Sequence, residues 1–229
     1  MAEHGHGLLL KALRERRPEW LERQGIHVLE VGTTREQLAS QDSTRVIAEF
    51  CKEHGWDFTT CDMDPANSER ARELFASMNV PFKAVTAKGE DYIKSQRRAW
   101  DVVYLDAYDF DHGKHSEERQ ERYEQFLGSR IDQQACEVMH LEAMQGLNRA
   151  GRPRCLVVID DTWMVKNKWV GKGPMAIPWA IANGWDLTMA EEEYRAIVFE
   201  KRPEWEAYKR WARRTGGKYK RKLLRQPMP

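Results

Sequence analysis

Short apolar runs alternate along the chain with longer segments in which apolar positions recur every three or four residues. The runs 27-HVLEVG-32, 57-DFTTCD-62, 81-PFKAV-85, 101-DVVYLD-106 and 155-CLVVID-160 predict strands, and the segments near 43–54, 66–78, 88–97 and 116–149 predict helices. Gly128 and Ser129 break the last segment into two helices. The resulting order, βαβαβαβαβ, is that of a parallel sheet covered by helices on both faces, so the fold class is α/β. After residue 160 the pattern changes. The stretch 162-TWMVKNKWVGKGPMAIPWA-180 predicts a loop, and 185-WDLTMA-190 with 194-YRAIVFE-200 predicts a C-terminal antiparallel hairpin that extends the sheet. One domain is expected over residues 1–200, followed by a basic helix and tail over 201–229.

Composition changes this picture only locally. The 229 residues, 41% hydrophobic, suffice for one sizeable core. Lys and Arg total 37 against 36 for Asp and Glu, so the net charge of +1 gives no global case for a polyanionic partner. The exception is 201–229, where eleven Lys or Arg stand against two Glu, an excess of nine, with Trp205, Tyr208, Trp211 and Tyr219 interleaved. Nucleic acid is the partner such a segment would suit. No apolar run approaches the roughly 18 residues needed to cross a bilayer, and the start lacks the features of a secretory signal, so a cytoplasmic protein without a membrane partner is expected. Four scattered cysteines without CxxC spacing are expected to be buried free thiols.

In sheets of this class, ligands sit beyond the carboxyl ends of the strands. This sequence places its acids there. The first strand ends in Glu30, Val31, Gly32 and Thr33, where the glycine lets a ligand approach the backbone; the second ends in Asp62, where a carboxylate can accept both hydroxyls of a ribose. The fourth delivers Asp106 and the fifth delivers Asp160 and Asp161.

On these residues the chain resembles the class I S-adenosylmethionine-dependent methyltransferases, which have a Rossmann-like, mostly parallel seven-stranded sheet. The stretch 28-VLEVGT-33 resembles their first motif, 60-TCDMDP-65 their second strand end and 86-TAKGEDYI-93 the segment flanking the adenine. The stretches 103-VYLDAYD-109 and 158-VIDDTW-163 are similar to the divalent-metal-dependent O-methyltransferases of catechol and sugar type. The resemblance implies Glu30, Gly32, Thr33, Asp62 and Met63 around S-adenosylmethionine, Glu90 near the adenine, and Asp106, Asp160 and Asp161 as ligands of a divalent metal. It implies a small-molecule hydroxyl as the acceptor, with a homo-oligomer compatible with it. Two departures stand out. The second glycine of the first motif is replaced by 32-GTTREQLASQDST-44, which reshapes the cofactor loop, and the lysine base of the catechol enzymes is replaced by Asp109. Asp109, or His112 from 112-HGKH-115, is then the candidate base.

Charge repulsion supports a cation independently. Three carboxylates at adjoining strand ends need neutralising, and oxygen donors favour magnesium, manganese or calcium. The alternative is that Asp161 caps a turn while Asp160 faces solvent. A rival cluster of His112, His115, His140 and Glu137 would suit iron, manganese or zinc. His4 and His6 fall in a terminus expected to fray. The 162–180 loop, with Trp163, Trp169, Trp179, Lys166, Lys168 and Lys172, could close over a substrate. Two other functions remain open at this point: an RNA-modifying or nucleic-acid-binding protein using the basic segment, and hydroxylase-like metal chemistry on the same scaffold.

Overall fold

The computed structural model describes residues 4–34 and 42–203. A seven-stranded sheet of order β3-β2-β1-β4-β5-β9-β8 runs through the middle. Strands β1 (His27–Val31), β2 (Asp57–Asp62), β3 (Lys83–Thr86), β4 (Trp100–Leu105) and β5 (Gly151–Ile159) are parallel. Strand β9 (Ala196–Lys201) runs antiparallel to β5, and β8 (Trp185–Glu191) antiparallel to β9. The helices α2 (Ser43–His54), α3 (Pro65–Ser77), α4 (Gly89–Ser95), α5 (Glu117–Leu127) and α6 (Gln133–Ala150) fall where apolar periodicity predicts them. Side-chain caps fix four starts: Asp42 accepts from Arg45 N–H, Asp64 from Ala66 N–H, Ser116 from Arg119 N–H and Asp132 from Ala135 N–H. The predicted break at Gly128 is the left-handed cap of α5. The four cysteines are free and buried. Among the described residues no helix is long and apolar enough to cross a membrane.

The central strands are apolar at successive positions because both faces of the sheet are covered. Val28, Val102, Tyr104, Leu156 and Val158 pack on one face with α1 (Gly5–Arg16), α2 and α3, and Leu29, Val103, Leu105, Val157 and Ile159 pack on the other with α4, α6 and α7 (Ala176–Ala182). The reversal of strand order between β1 and β4 opens a crevice at their carboxyl ends.

Two segments depart from the sequence expectation. The N-terminal segment, expected to fray, forms α1 (Gly5–Arg16), whose stripe Leu8, Leu9, Ala12 and Leu13 is buried against β5 and β9. The predicted 162–180 loop is instead a small hairpin, β6 (Thr162–Val165) and β7 (Lys168–Gly171), followed by α7 (Ala176–Ala182). Its two-residue turn places both Lys166 and Asn167 at positive φ, a primed turn without the Asn-Gly signal that usually marks one. The expected tail lies almost wholly outside the described residues, as does most of the altered cofactor loop.

The carboxyl end of β1 is tied down by Glu30, which is fully buried. Its Oε1 accepts from Ser43 Oγ and its Oε2 from Thr44 Oγ1 and Thr60 Oγ1, each at 2.7 Å, so one carboxylate joins β1, β2 and the start of α2. Burial outweighs these three bonds and pushes its pKa up to about 7 from an ordinary 4.5.

Two measurements test these features. Leu13→Ala should lower the unfolding free energy by about 3 kcal/mol in urea titration, because it opens a cavity under α1; an unchanged midpoint would mean that α1 is not docked. For Glu30, the folded state holds the proton more tightly than the unfolded chain, so its stabilisation is complete below pH 4.5 and is lost as pH rises to about 7. Wild type minus Glu30→Gln should therefore fall by on the order of 3 kcal/mol across that window. Parallel profiles would reject the assignment.

Candidate functional site

A cavity of about 320 Å³ lies at the carboxyl ends of β1, β2, β4 and β5. It brings together most of the residues singled out in the sequence: Gly32, Thr33, Asp62, Met63, Asp106, Asp109, Asp160 and Asp161 all line it. Glu30, Glu90 and His112 do not.

The cofactor half is built from backbone geometry. Gly32, at φ 100°, passes so close to Asp106 that a Cβ there would overlap its carbonyl oxygen, so only glycine fits. The next residue, Thr33, is buried; its N–H donates to Asp62 Oδ2 at 3.0 Å and its hydroxyl bonds that of Thr60 at 2.7 Å. Asp62 Oδ1 accepts from Asp64 N–H at 2.8 Å, so two backbone donors orient this carboxylate. Glu30, expected around the cofactor, instead sits beneath the glycine turn as its anchor. Glu90 lies in the first turn of α4 beside the cavity-lining Gly89; its Oε1 accepts from Tyr108 Oη at 3.2 Å, while Oε2 is buried and has no hydrogen-bond partner among the described residues. Burial raises its pKa.

The other half is crowded with paired acids. Asp109 lies 2.8 Å from Arg119 Nε and its N–H donates to Tyr123 Oη; Asp64 pairs with Arg122 and caps α3 through Ala66 N–H. Asp160 accepts from the buried Tyr104 hydroxyl. Burial, then repulsion from Asp106 and Asp161, pushes Asp160 up to about 8.

The expected divalent-metal ligands do not fit a metal as they stand. Among the described residues no group of three or more His, Cys, Asp or Glu is arranged to hold an ion. The ammonium of Lys172 lies between two of the acids, bonded to Asp106 and 3.1 Å from Asp161 Oδ2. The rival histidines also fail to converge. His140 is fully buried, its Nδ1 bonding the Cys136 carbonyl at 2.8 Å, and burial pushes it down to about 3. His112 lies against His115 with ring centroids 3.8 Å apart and the planes tilted by 31°.

Sequence reasoning missed three contributors. His4 and His6 line the cavity because α1 begins there, with Gly5 packed on the Asp160 carboxylate. Burial, then His4, pushes His6 down to about 4. The signal was present in 5-GHGLLLKALRER-16, whose apolar residues form a helical stripe. Arg122 was missed because α5 reaches Asp64 from 58 residues away, a pairing that no local pattern carries.

No protein-family profile and no curated protein matches the sequence. Solved structures do match in fold. The 16S rRNA methyltransferase RsmC of Thermus thermophilus, solved in complex with AdoMet and guanosine, aligns with a TM-score of 0.53 at 14% identity, covering 87% of this chain and 43% of that one. TrmN of T. thermophilus aligns with a TM-score of 0.52 at 15% identity, covering 86% and 48%. The yhhF protein of Escherichia coli gives 0.50 at 12% identity, covering 86% and 85%. This chain thus spans about half the length of RsmC and TrmN. The α/β architecture, a mostly parallel seven-stranded sheet closed by an antiparallel hairpin, is the Rossmann-like fold of these methyltransferase structures.

Proposed function

We propose that this chain transfers a methyl group from S-adenosylmethionine to a hydroxyl of a small-molecule acceptor held in the same cavity. The observation that carries the reading is the Asp62 carboxylate, fixed by two backbone N–H groups at the end of the second parallel strand and lining the cavity. A carboxylate so oriented can accept both ribose hydroxyls of an adenosine. The bare backbone at Gly32 fits the same ligand.

When bound, the cofactor supplies a methyl group on a cationic sulfur. The chain's own work is orientation and proton removal. Tyr108, Tyr123 and Phe126 provide aromatic walls for a small acceptor. Asp109 takes the hydroxyl proton as the oxygen gains the methyl group, with Arg119 and the Tyr123 hydroxyl fixing its place. The metal implied by the sequence resemblance has no part in these steps, since Lys172 already meets two of its ligands.

A second reading takes RNA as the acceptor. It draws on the excess of nine positive charges in 201–229 and on RsmC, an rRNA methyltransferase that shares the fold. Deleting 203–229 separates the two: loss of RNA affinity together with methyl transfer favours RNA, and retained transfer to a small acceptor favours the first reading.

Calorimetric titration with S-adenosylhomocysteine tests the cofactor assignment. Wild type should bind, and Asp62→Asn should bind at least about ten-fold more weakly, the loss expected for impaired charge-assisted bonds to the ribose. A folded wild type that does not bind would reject the methyltransferase reading.

A further inference from the structure

Lys172 is an unusual residue for its place. It is 1% exposed, and a buried ammonium is costly unless acids surround it. The chain makes a dedicated excursion to bring it there. Directly after Asp160 and Asp161 it runs out along β6, reverses at Lys166 and Asn167, and returns along β7. Gly171 closes the excursion at φ 84°, where any Cβ would overlap the Asp161 carbonyl oxygen, and Lys172 N–H donates to that same oxygen at 3.0 Å. Gln133 at the start of α6 braces the return by donating to the Gly171 carbonyl at 2.9 Å. The lysine side chain then meets Asp161 from its own loop and Asp106 from the end of β4. Both acids line the cavity while the ammonium lies behind them, outside the lining.

A divalent ion at this point would be held by Asp106 and Asp161 from two strand ends, with Asp160 beside them. The ammonium already supplies a positive charge bonded to both of the outer acids. An ion would have to displace a covalently attached competitor that cannot diffuse away, whose effective concentration is high.

We propose that Lys172 is a tethered cation standing where this acid cluster would otherwise bind a divalent metal, and that its removal converts Asp106, Asp160 and Asp161 into a metal site. The inference does not depend on the identity of methyl donor or acceptor. It accounts for a chain that has the acid pattern of a metal site and a geometry that does not accept one.

The test uses the full-length protein and manganese(II) alone, followed by calorimetry and by the shift in melting temperature. Wild type should bind no more tightly than about 1 mM, and Lys172→Ala should bind at least about ten-fold more tightly, with Asp161→Asn in the same background removing the gain. Lys172→Gln, which keeps most of the length without the charge, serves the same comparison if the alanine variant does not fold. Manganese binding to wild type below about 0.1 mM would overturn the proposal, as would a folded Lys172 variant whose melting temperature and affinity respond no more than wild type.

Discussion

A carboxylate removed from water must find donors or lose its charge, and this fold gathers acids at one end of a parallel sheet. The answers are of several kinds. Glu30 has three hydroxyls, Asp62 two backbone N–H groups, and Asp64 and Asp109 an arginine each from α5. Asp106 and Asp161 share Lys172, and Asp160 takes the hydroxyl of Tyr104. A cavity lined by acids can stand at these strand ends because β2, β4, α2, α5 and the segment after β7 each send a donor to it.

Those donors arrive from far along the chain, which makes the cavity a meeting point of tertiary structure. The Ser43 and Thr44 hydroxyls set the start of α2 against β1, and the Arg122 pairing sets α5 against the start of α3. Lys172 fastens the β6-β7 hairpin to the end of β4. Burying paired charges adds little net stability compared with apolar packing, whereas breaking one partner leaves the other exposed to the full cost. Such pairings therefore select one arrangement of loops over a core whose stability comes from the apolar faces of the sheet.

The sheet and its flanking helices were legible because they follow from period. Two-sided burial writes β4 and β5 as continuous apolar runs, and caps such as Asp42, Ser116 and Asp132 mark helix starts. The acids were legible as strand-end residues, and Gly32, Asp62, Asp106, Asp109, Asp160 and Asp161 do meet at one cavity. Their partners were not. Lys172 reads as an exposed loop lysine until two left-handed residues and a Gly171 contact fold the loop back. Glu30 reads as a ligand-facing acid because nothing local says that three hydroxyls from β2 and α2 will enclose it. A carboxylate's position follows from strand period; its electrostatic state follows from contacts that period does not encode.

Helix α1 shows what that distinction means for function. Its apolar stripe secures it to β5 and β9, and this packing is what carries Gly5 onto Asp160 and His6 into the cavity wall. His6 is held well below the ordinary imidazole range, so it presents an uncharged ring at neutral pH. An uncharged imidazole adds a proton acceptor to a wall whose carboxylates are otherwise engaged with arginine, lysine, tyrosine or backbone N–H groups. The polarity of the site thus depends on an apolar contact at the far end of the same helix, and loosening Leu9 or Leu13 would change the chemistry of the cavity without altering any residue that lines it.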